Sequence, residues 1–440
     1  MTQLDPFDPT LTDRCSADLL QPALRLLGET VDREFARREP RQQTHLEWAA
    51  HRLGTHAADL AVSAEVVAPP VADAVGVWLL RAQLEHGADP GGADPHLPAT
   101  TERVPGAHGD VRTFRSALVH LPAGVLHETS VALRLAPFRY GLEVQLLGLR
   151  EYAGQLSDAL AAFLRERRTS GSPYRLGRYR VRATNQGLVL RPATMATATR
   201  ATLQLDEAVW RTVDRGVHRI LALSDRLAAR GLGTSAGLLL VGPPGTGKTQ
   251  LGTVVAGELA GTATVLVPGS EVTEMWLTEL FDLAADLAPT LILMDDLDLI
   301  AGERGSTQPH RLREFLNVMD GGLADRSGVV VIASTNDPRK IDKAARRSSR
   351  FDTVITMEAP GFDGRVAILE RYLAWSDATL DLAAVARATD GATGADLKEL
   401  VRATVLATDD QVTTGALLGQ AATQGKGRWA SEPAPAGVYL

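Results

Sequence analysis

Apolar and polar positions change rhythm three times along the chain. From about Leu11 to His86 apolar residues recur every three to four positions, in DLLQPALRLLGETV and again in HLEWAAHRLGTHAADLAV. That spacing gathers them on one face of a helix. Residues 1–90 therefore read as a helical N-terminal domain, broken once at Pro69-Pro70. GADPGGADPHLPATTERVPG then begins at Gly87, and its Gly and Pro content reads as a linker over residues 91–110.

Over residues 111–201 the rhythm is mixed. SALVHLPAG and SVALRLAP read as short strands, and GLEVQLLGL alternates as a half-buried strand does. LSDALAAFLRERR has a helical spacing and a basic last turn, which suits the helix dipole. YRVRA and GLVLRPA form a strand pair around Asn185-Gln186-Gly187. This stretch predicts a mixed α+β domain. From Leu203 onward helical runs alternate with the apolar runs GLLLV, TATVLV, TLILMD, GVVVIAST and TVITM. Such alternation implies an α/β unit whose parallel sheet is covered on both faces. The tail over residues 415–440 is poor in apolar positions and is expected to be disordered.

Composition narrows the classes. The chain has 440 residues, 45% hydrophobic and 22% charged, with a formal net charge of −7. Large cores are possible, and bulk charge does not favour nucleic acid. Cys15 is the only cysteine, so no intrachain disulfide can form, as suits a reducing compartment. The start, MTQLDPFDPT, lacks the basic-then-apolar order of a secretory signal. No apolar run approaches the ~18 residues of a membrane helix. A cytoplasmic location without membrane association is the expectation.

The chemistry concentrates in the third region. GPPGTGKT, comprising Gly242, Pro243, Pro244, Gly245, Thr246, Gly247, Lys248 and Thr249, fits the phosphate-binding loop G-x-x-x-x-G-K-[ST], and it sits between a strand and a helix. Glycines let backbone N–H groups face phosphate oxygens, and the helix N-terminus adds partial positive charge. Lys248 would reach the β- and γ-phosphates of ATP, and the Thr249 hydroxyl would ligate Mg²⁺. TLILMDDLD ends an apolar strand in Asp295 and Asp296. Asp295 is placed to hold Mg²⁺, and Asp296 follows where a base orienting the attacking water would sit.

At these residues the third region resembles the AAA family of ATPases, in its protein-remodelling branch. The resemblance implies a P-loop NTPase module with a large α/β subdomain over 202–358 and a small helical lid over 359–414. GVVVIASTNDPRKIDKAARRSSRFD looks like the family's second region of homology. It implies that Asn336 is a sensor of the γ-phosphate or the water. It also implies that Arg347 and Arg350 are arginine fingers reaching a neighbouring subunit's site, and hence a homo-oligomer, usually a ring of six. GATGADLKEL resembles the lid's sensor motif, with Gly394 and Ala395 packed near the nucleotide, and PGFDGR resembles the start of that lid.

Three features depart from the family. Asp296 stands where glutamate is usual, and its carboxylate is on the order of 1 Å shorter in reach, a displacement to which catalysis is sensitive. The segment VPGSEVTEMWLTELFDLAADLAP is too short for the usual pore loop, leaving Trp276 either as a surviving pore aromatic or packed on the sheet. Ser348-Ser349 replace the usual Pro-Gly before the second finger. The resemblance implies an ATPase that remodels or assembles a protein partner. An ATP-gated scaffold or switch with little turnover is the alternative that Asp296 raises. A nucleic-acid-linked ATPase is a further alternative, raised by RERRTSGSPYRLGRYRVR. That stretch, from Arg165 to Arg182, holds seven arginines, with Tyr174 and Tyr179 among them.

Overall fold

The computed structural model describes residues 43–87, 90–138, 141–195, 198–297, 327–336, 351 and 353–425. The first described helix, α1 (His45–Leu53), starts at Thr44. The Thr44 hydroxyl accepts from the Glu47 amide while the Glu47 carboxylate accepts from the Thr44 amide. The helix stops at Gly54, whose φ of 68° is left-handed. Beyond Gly54 the pattern is not helical: β1 (Leu60–Val67) is a strand. It pairs antiparallel with β5 (Gly141–Leu149), from Leu60↔Leu149 to Val67↔Leu142. The described part of residues 1–90 is thus helix–strand–helix rather than all helical. Distant pairing decided the conformation of an Ala-rich run that local spacing read as helix.

α2 (Pro69–His86) follows, with its prolines in the first turn, where a missing N–H breaks no helical bond. Residues 91–110 are not a simple linker. They contain β2 (Thr100–Gly106) and the start of β3 (Gly109–Leu121). β2 lies at the sheet edge, so Pro105 is tolerated there. With β4 (Val131–Phe138), the strands form a five-stranded antiparallel sheet in the order β1-β5-β4-β3-β2. α2 and α3 (Ala153–Arg168) bury one face of it, around Leu79, Leu121, Leu133, Leu146 and Leu156. α1 packs on the other face, on Leu118, Ala132 and Leu147.

The second sheet has seven strands in the order β12-β8-β11-β10-β9-β6-β7. β8 (Ala236–Val241), β9 (Thr264–Pro268), β10 (Thr290–Met294), β11 (Val329–Thr335) and β12 (Thr353–Thr356) are mutually parallel. β6 (Arg178–Thr184) and β7 (Gly187–Pro192) belong to this sheet, although the sequence grouped them with the domain ending at 201. β6 pairs parallel with β9, from Arg178↔Val265 to Val181↔Pro268. The reason is burial: Tyr179, Val181, Leu188 and Leu190 enter the same core as Leu266 and Phe281. The boundary between the two units therefore precedes Arg178.

α4 (Glu207–Val213), a π-turn (Asp214–His218), α5 (Arg219–Ala228) and α6 (Lys248–Glu258) cover one face of this sheet. α7 (Leu277–Asp286) covers the other. A helical unit follows, made of α8 (Phe362–Leu373), α9 (Leu382–Ala388), α10 (Gly394–Thr408) and α11 (Thr414–Gly425). α11 overturns the expectation of disorder for residues 415–425, because Leu417 and Ala421, one turn apart, are buried in the core of this unit. Among the described residues no helix is long and apolar enough to cross a membrane.

Candidate functional site

The site lies where β8, β10 and β11 end on the same side of their parallel sheet, the usual place for a ligand in such folds. β8 runs into the loop Gly242–Thr249. A Cβ on Gly242 would stand 2.0 Å from the Met357 carbonyl oxygen, so only glycine allows that approach. Gly245 has a φ of 84°, and a Cβ there would also lie 2.7 Å from Thr393 Oγ1. Pro243 accepts a hydrogen bond from Thr246 Oγ1 at 2.9 Å, which closes the turn containing Pro244 and Gly245. Lys248 is buried, and its Nζ donates to the carbonyl oxygens of Gly242 at 2.8 Å and Pro243 at 2.7 Å. These bonds hold the ammonium inside the curve of the loop. α6 starts at Lys248, after Gly247, and directs its first amides into that curve. Loop, ammonium and helix N-terminus suit the phosphates of a nucleotide.

The acids stand opposite. Asp295 follows β10 and is hydrogen-bonded by the side chains of Ser334 and Thr249. The Ser334 Oγ to Asp295 Oδ1 distance is 3.1 Å. Asp295 is open at the mouth of the cleft, yet the protein atoms around its carboxyl displace enough water to push its pKa up. The bonds from Ser334 and Thr249 oppose that shift, Asp296 adds to it, and Lys248 subtracts. A hydroxyl and a carboxylate side by side are hard oxygen donors suited to Mg²⁺.

Asp296 has a φ of 51°, in the left-handed region. Its Oδ1 accepts from Asn336 Nδ2 at 2.8 Å, and its amide donates to Ser334 Oγ at 3.1 Å. The structure thus brings Lys248, Thr249, Asp295, Asp296 and Asn336 together. Ser334 links Asp295 to Asp296, and sequence reasoning did not single it out. The available signal was its position two residues before Asn336, at the end of β11.

Gly394 and Ala395 open α10 behind Thr393, which forms a capping box with Asp396. The Ala395 amide donates to the Gly245 carbonyl oxygen at 3.3 Å, so the helical unit touches the loop through backbone. Two further contacts were not legible in the sequence. Leu203 packs where a Cβ on Gly247 would come within 2.8 Å of its Cδ1. The Thr202 carbonyl accepts from Gln250 of α6 at 3.2 Å and from Arg371 of α8. Arg347 and Arg350 lie outside the described residues. Trp276 packs against the core beneath the sheet, beside an exposed Met275. Tyr174 and Tyr179, expected among surface arginines, are both buried.

The sequence profile described as "ATPase family associated with various cellular activities (AAA)" matches residues 238–359, which span this site from β8 to β12. An ATP-dependent zinc metalloprotease FtsH of Synechococcus sp. (strain JA-2-3B'a(2-13)) is 39% identical over 207 residues, covering 43% of this chain and 32% of the relative. FtsH 1 of Sphaerobacter thermophilus is 38% identical over 201 residues, covering 42% and 30%. FtsH of Thermobaculum terrenum is 41% identical over 187 residues, covering 39% and 29%. The chain spans about a third of the length of these relatives.

Proposed function

From the AAA ATPase domain that this chain carries, we propose that it hydrolyses ATP between subunits of a homo-oligomeric ring and uses the cycle to remodel or assemble a protein partner. The observation that carries the reading is the convergence of Lys248, Thr249, Asp295, Asp296 and Asn336 around one loop. Lys248 and the first amides of α6 would hold the phosphates, and Thr249 with Asp295 would hold Mg²⁺. The bound ion would neutralise charge that develops on the transferring phosphoryl group. Asp296, kept in place by Asn336 and Ser334, would orient water. Arg347 and Arg350 would complete a neighbour's site, which is why a ring, of six subunits by family resemblance, enters the proposal.

One observation favours a second reading, the ATP-gated switch. Asp296 has a short arm, and its carboxylate is held by Asn336. Phosphate release measured against protein concentration separates the two. The ring ATPase predicts turnover rising faster than linearly with concentration, lost in Lys248→Ala and reduced in Arg347→Ala and Arg350→Ala with ATP binding kept. Tight ATP binding with a wild-type rate no higher than that of Lys248→Ala would leave only the switch.

A further inference from the structure

The outer hairpin β6–β7 carries arginine on one face. Alternation along β6 puts Arg178, Arg180 and Arg182 on that face, with Tyr179 and Val181 turned into the core. Arg180 stands directly opposite Arg191 of β7, and all four arginines are exposed. Like charges placed directly opposite one another destabilise a strand pair. Within this set, Glu271 accepts from Arg182 Nε at 2.7 Å and also feels the charge of Arg180. Among the described residues no acid forms an ion pair with Arg178, Arg180 or Arg191. A chain of net charge −7 therefore concentrates positive charge on one strip of its sheet.

We propose that this strip docks an extended, acidic segment of a partner protein. Alternate residues of a strand are ~6.6–6.8 Å apart, and an extended peptide with an acid at every second position repeats at the same interval. Guanidinium groups take carboxylates through paired, charge-assisted hydrogen bonds, and the Arg182–Glu271 pair already shows the strip holding one carboxylate. Single-stranded nucleic acid would draw on aromatic rings for its bases. Here Tyr174 and Tyr179 are 2% and 1% exposed and packed edge-to-face on each other. The strip recognises charge without stacking, which favours an acidic peptide. This inference goes beyond the ATPase reading and does not rest on hydrolysis.

Fluorescence anisotropy on the full chain without nucleotide tests it. The probes are a labelled peptide of alternating Glu and Thr, its Gln–Thr counterpart, and labelled oligo-dT. Wild type is expected to bind the Glu–Thr peptide at low salt about ten-fold or more tighter than the other two probes, with affinity falling as salt rises. The double variant Arg180→Thr/Arg191→Thr is expected to lose about ten-fold or more of that affinity. Its melting temperature should not fall, because an opposed like-charge pair is removed and threonine suits a strand. Arg180→Lys/Arg191→Lys, which keeps the charge but loses the paired guanidinium bonds, should bind more weakly than wild type and more tightly than the threonine variant, whose unchanged melting temperature excludes misfolding as the cause. Equal affinity in wild type and the threonine variant, no binding at low salt, or tighter binding of oligo-dT overturns the proposal.

Discussion

Ser334 shows how much of the site rests on one hydroxyl. It donates to Asp295 and accepts from the Asp296 amide, so it fixes the relative placement of the two acids. Ser334→Ala leaves the Asp296 amide short of a bond, at about 1–3 kcal/mol if it stays unsatisfied, whereas Asp295, open to water and still bonded by Thr249, loses mainly its placement. Turnover should fall while ATP binding persists, as steady-state phosphate release alongside nucleotide titration would show. Asp296 carries the second prediction at this scale. Its φ of 51° lies where aspartate is better tolerated than glutamate. The local backbone therefore gives a physical reason for the shorter acid. Asp296→Glu should lengthen the reach and raise turnover several-fold, with a loss of up to ~1 kcal/mol in stability from the strained backbone. A thermal melt alongside the rate reads both effects, and a slower Glu variant would show that Asp296 already reaches its water. Lys248, Asp295 and Asn336 were legible in the sequence because each sits in a strand–loop pattern that encodes its own place. Ser334, Leu203 and Thr202 were not, because their roles come from neighbours far away in the chain.

Elements differ in how much of their fate is local. β8, β10 and β11 are buried along their whole length, and their unbroken apolar runs announced them. β1 and the hairpin β6–β7 owe their places to partners eighty or so residues away, β5 and β9, a separation that no window of local periodicity contains. α11 was missed for a related reason. Its small residues make a weak apolar stripe that gains meaning only against the rest of its helical unit. Within that unit Arg365 acts as a staple. It is 5% exposed, donates to the carbonyl oxygens of Ala386 and Pro360 at 3.0 Å each, and pairs with Asp390 at 2.9 Å. Arg365→Met keeps volume but removes the donors from two carbonyls, each worth about 1–3 kcal/mol if left unmet. Amide hydrogen exchange should quicken in α8 and α9 and stay unchanged in the five-stranded sheet. Uniform quickening across the chain would mean that the helical unit does not open by itself.

At the scale of the molecule, the two sheets meet at a buried carboxyl. Asp73 of α2 accepts from the Tyr174 hydroxyl, just ahead of β6, and from Arg115 of β3. The Thr113 hydroxyl donates to the Asp73 carbonyl at 2.9 Å, fixing the helix against the sheet. Burial pushes the Asp73 carboxyl up, while Arg115 and the bond from Tyr174 pull it down, and burial wins. The folded chain therefore holds this proton more tightly than the unfolded one, whose Asp titrates near ~3.9. Its contribution to stability is then fully present below that unfolded pKa and is lost as pH rises through the higher folded pKa. Asp73→Asn keeps an acceptor for Tyr174 but does not titrate. The stability of wild type relative to the variant should accordingly shift in favour of wild type as pH falls from 7 toward the carboxylate range, measured by denaturant melts at each pH. A flat difference, or one that shifts toward the variant on acidification, would mean that Arg115 outweighs burial and keeps Asp73 charged. The Asp73–Arg115 ion pair at the junction between the two sheets would then outweigh the cost of burying the carboxylate.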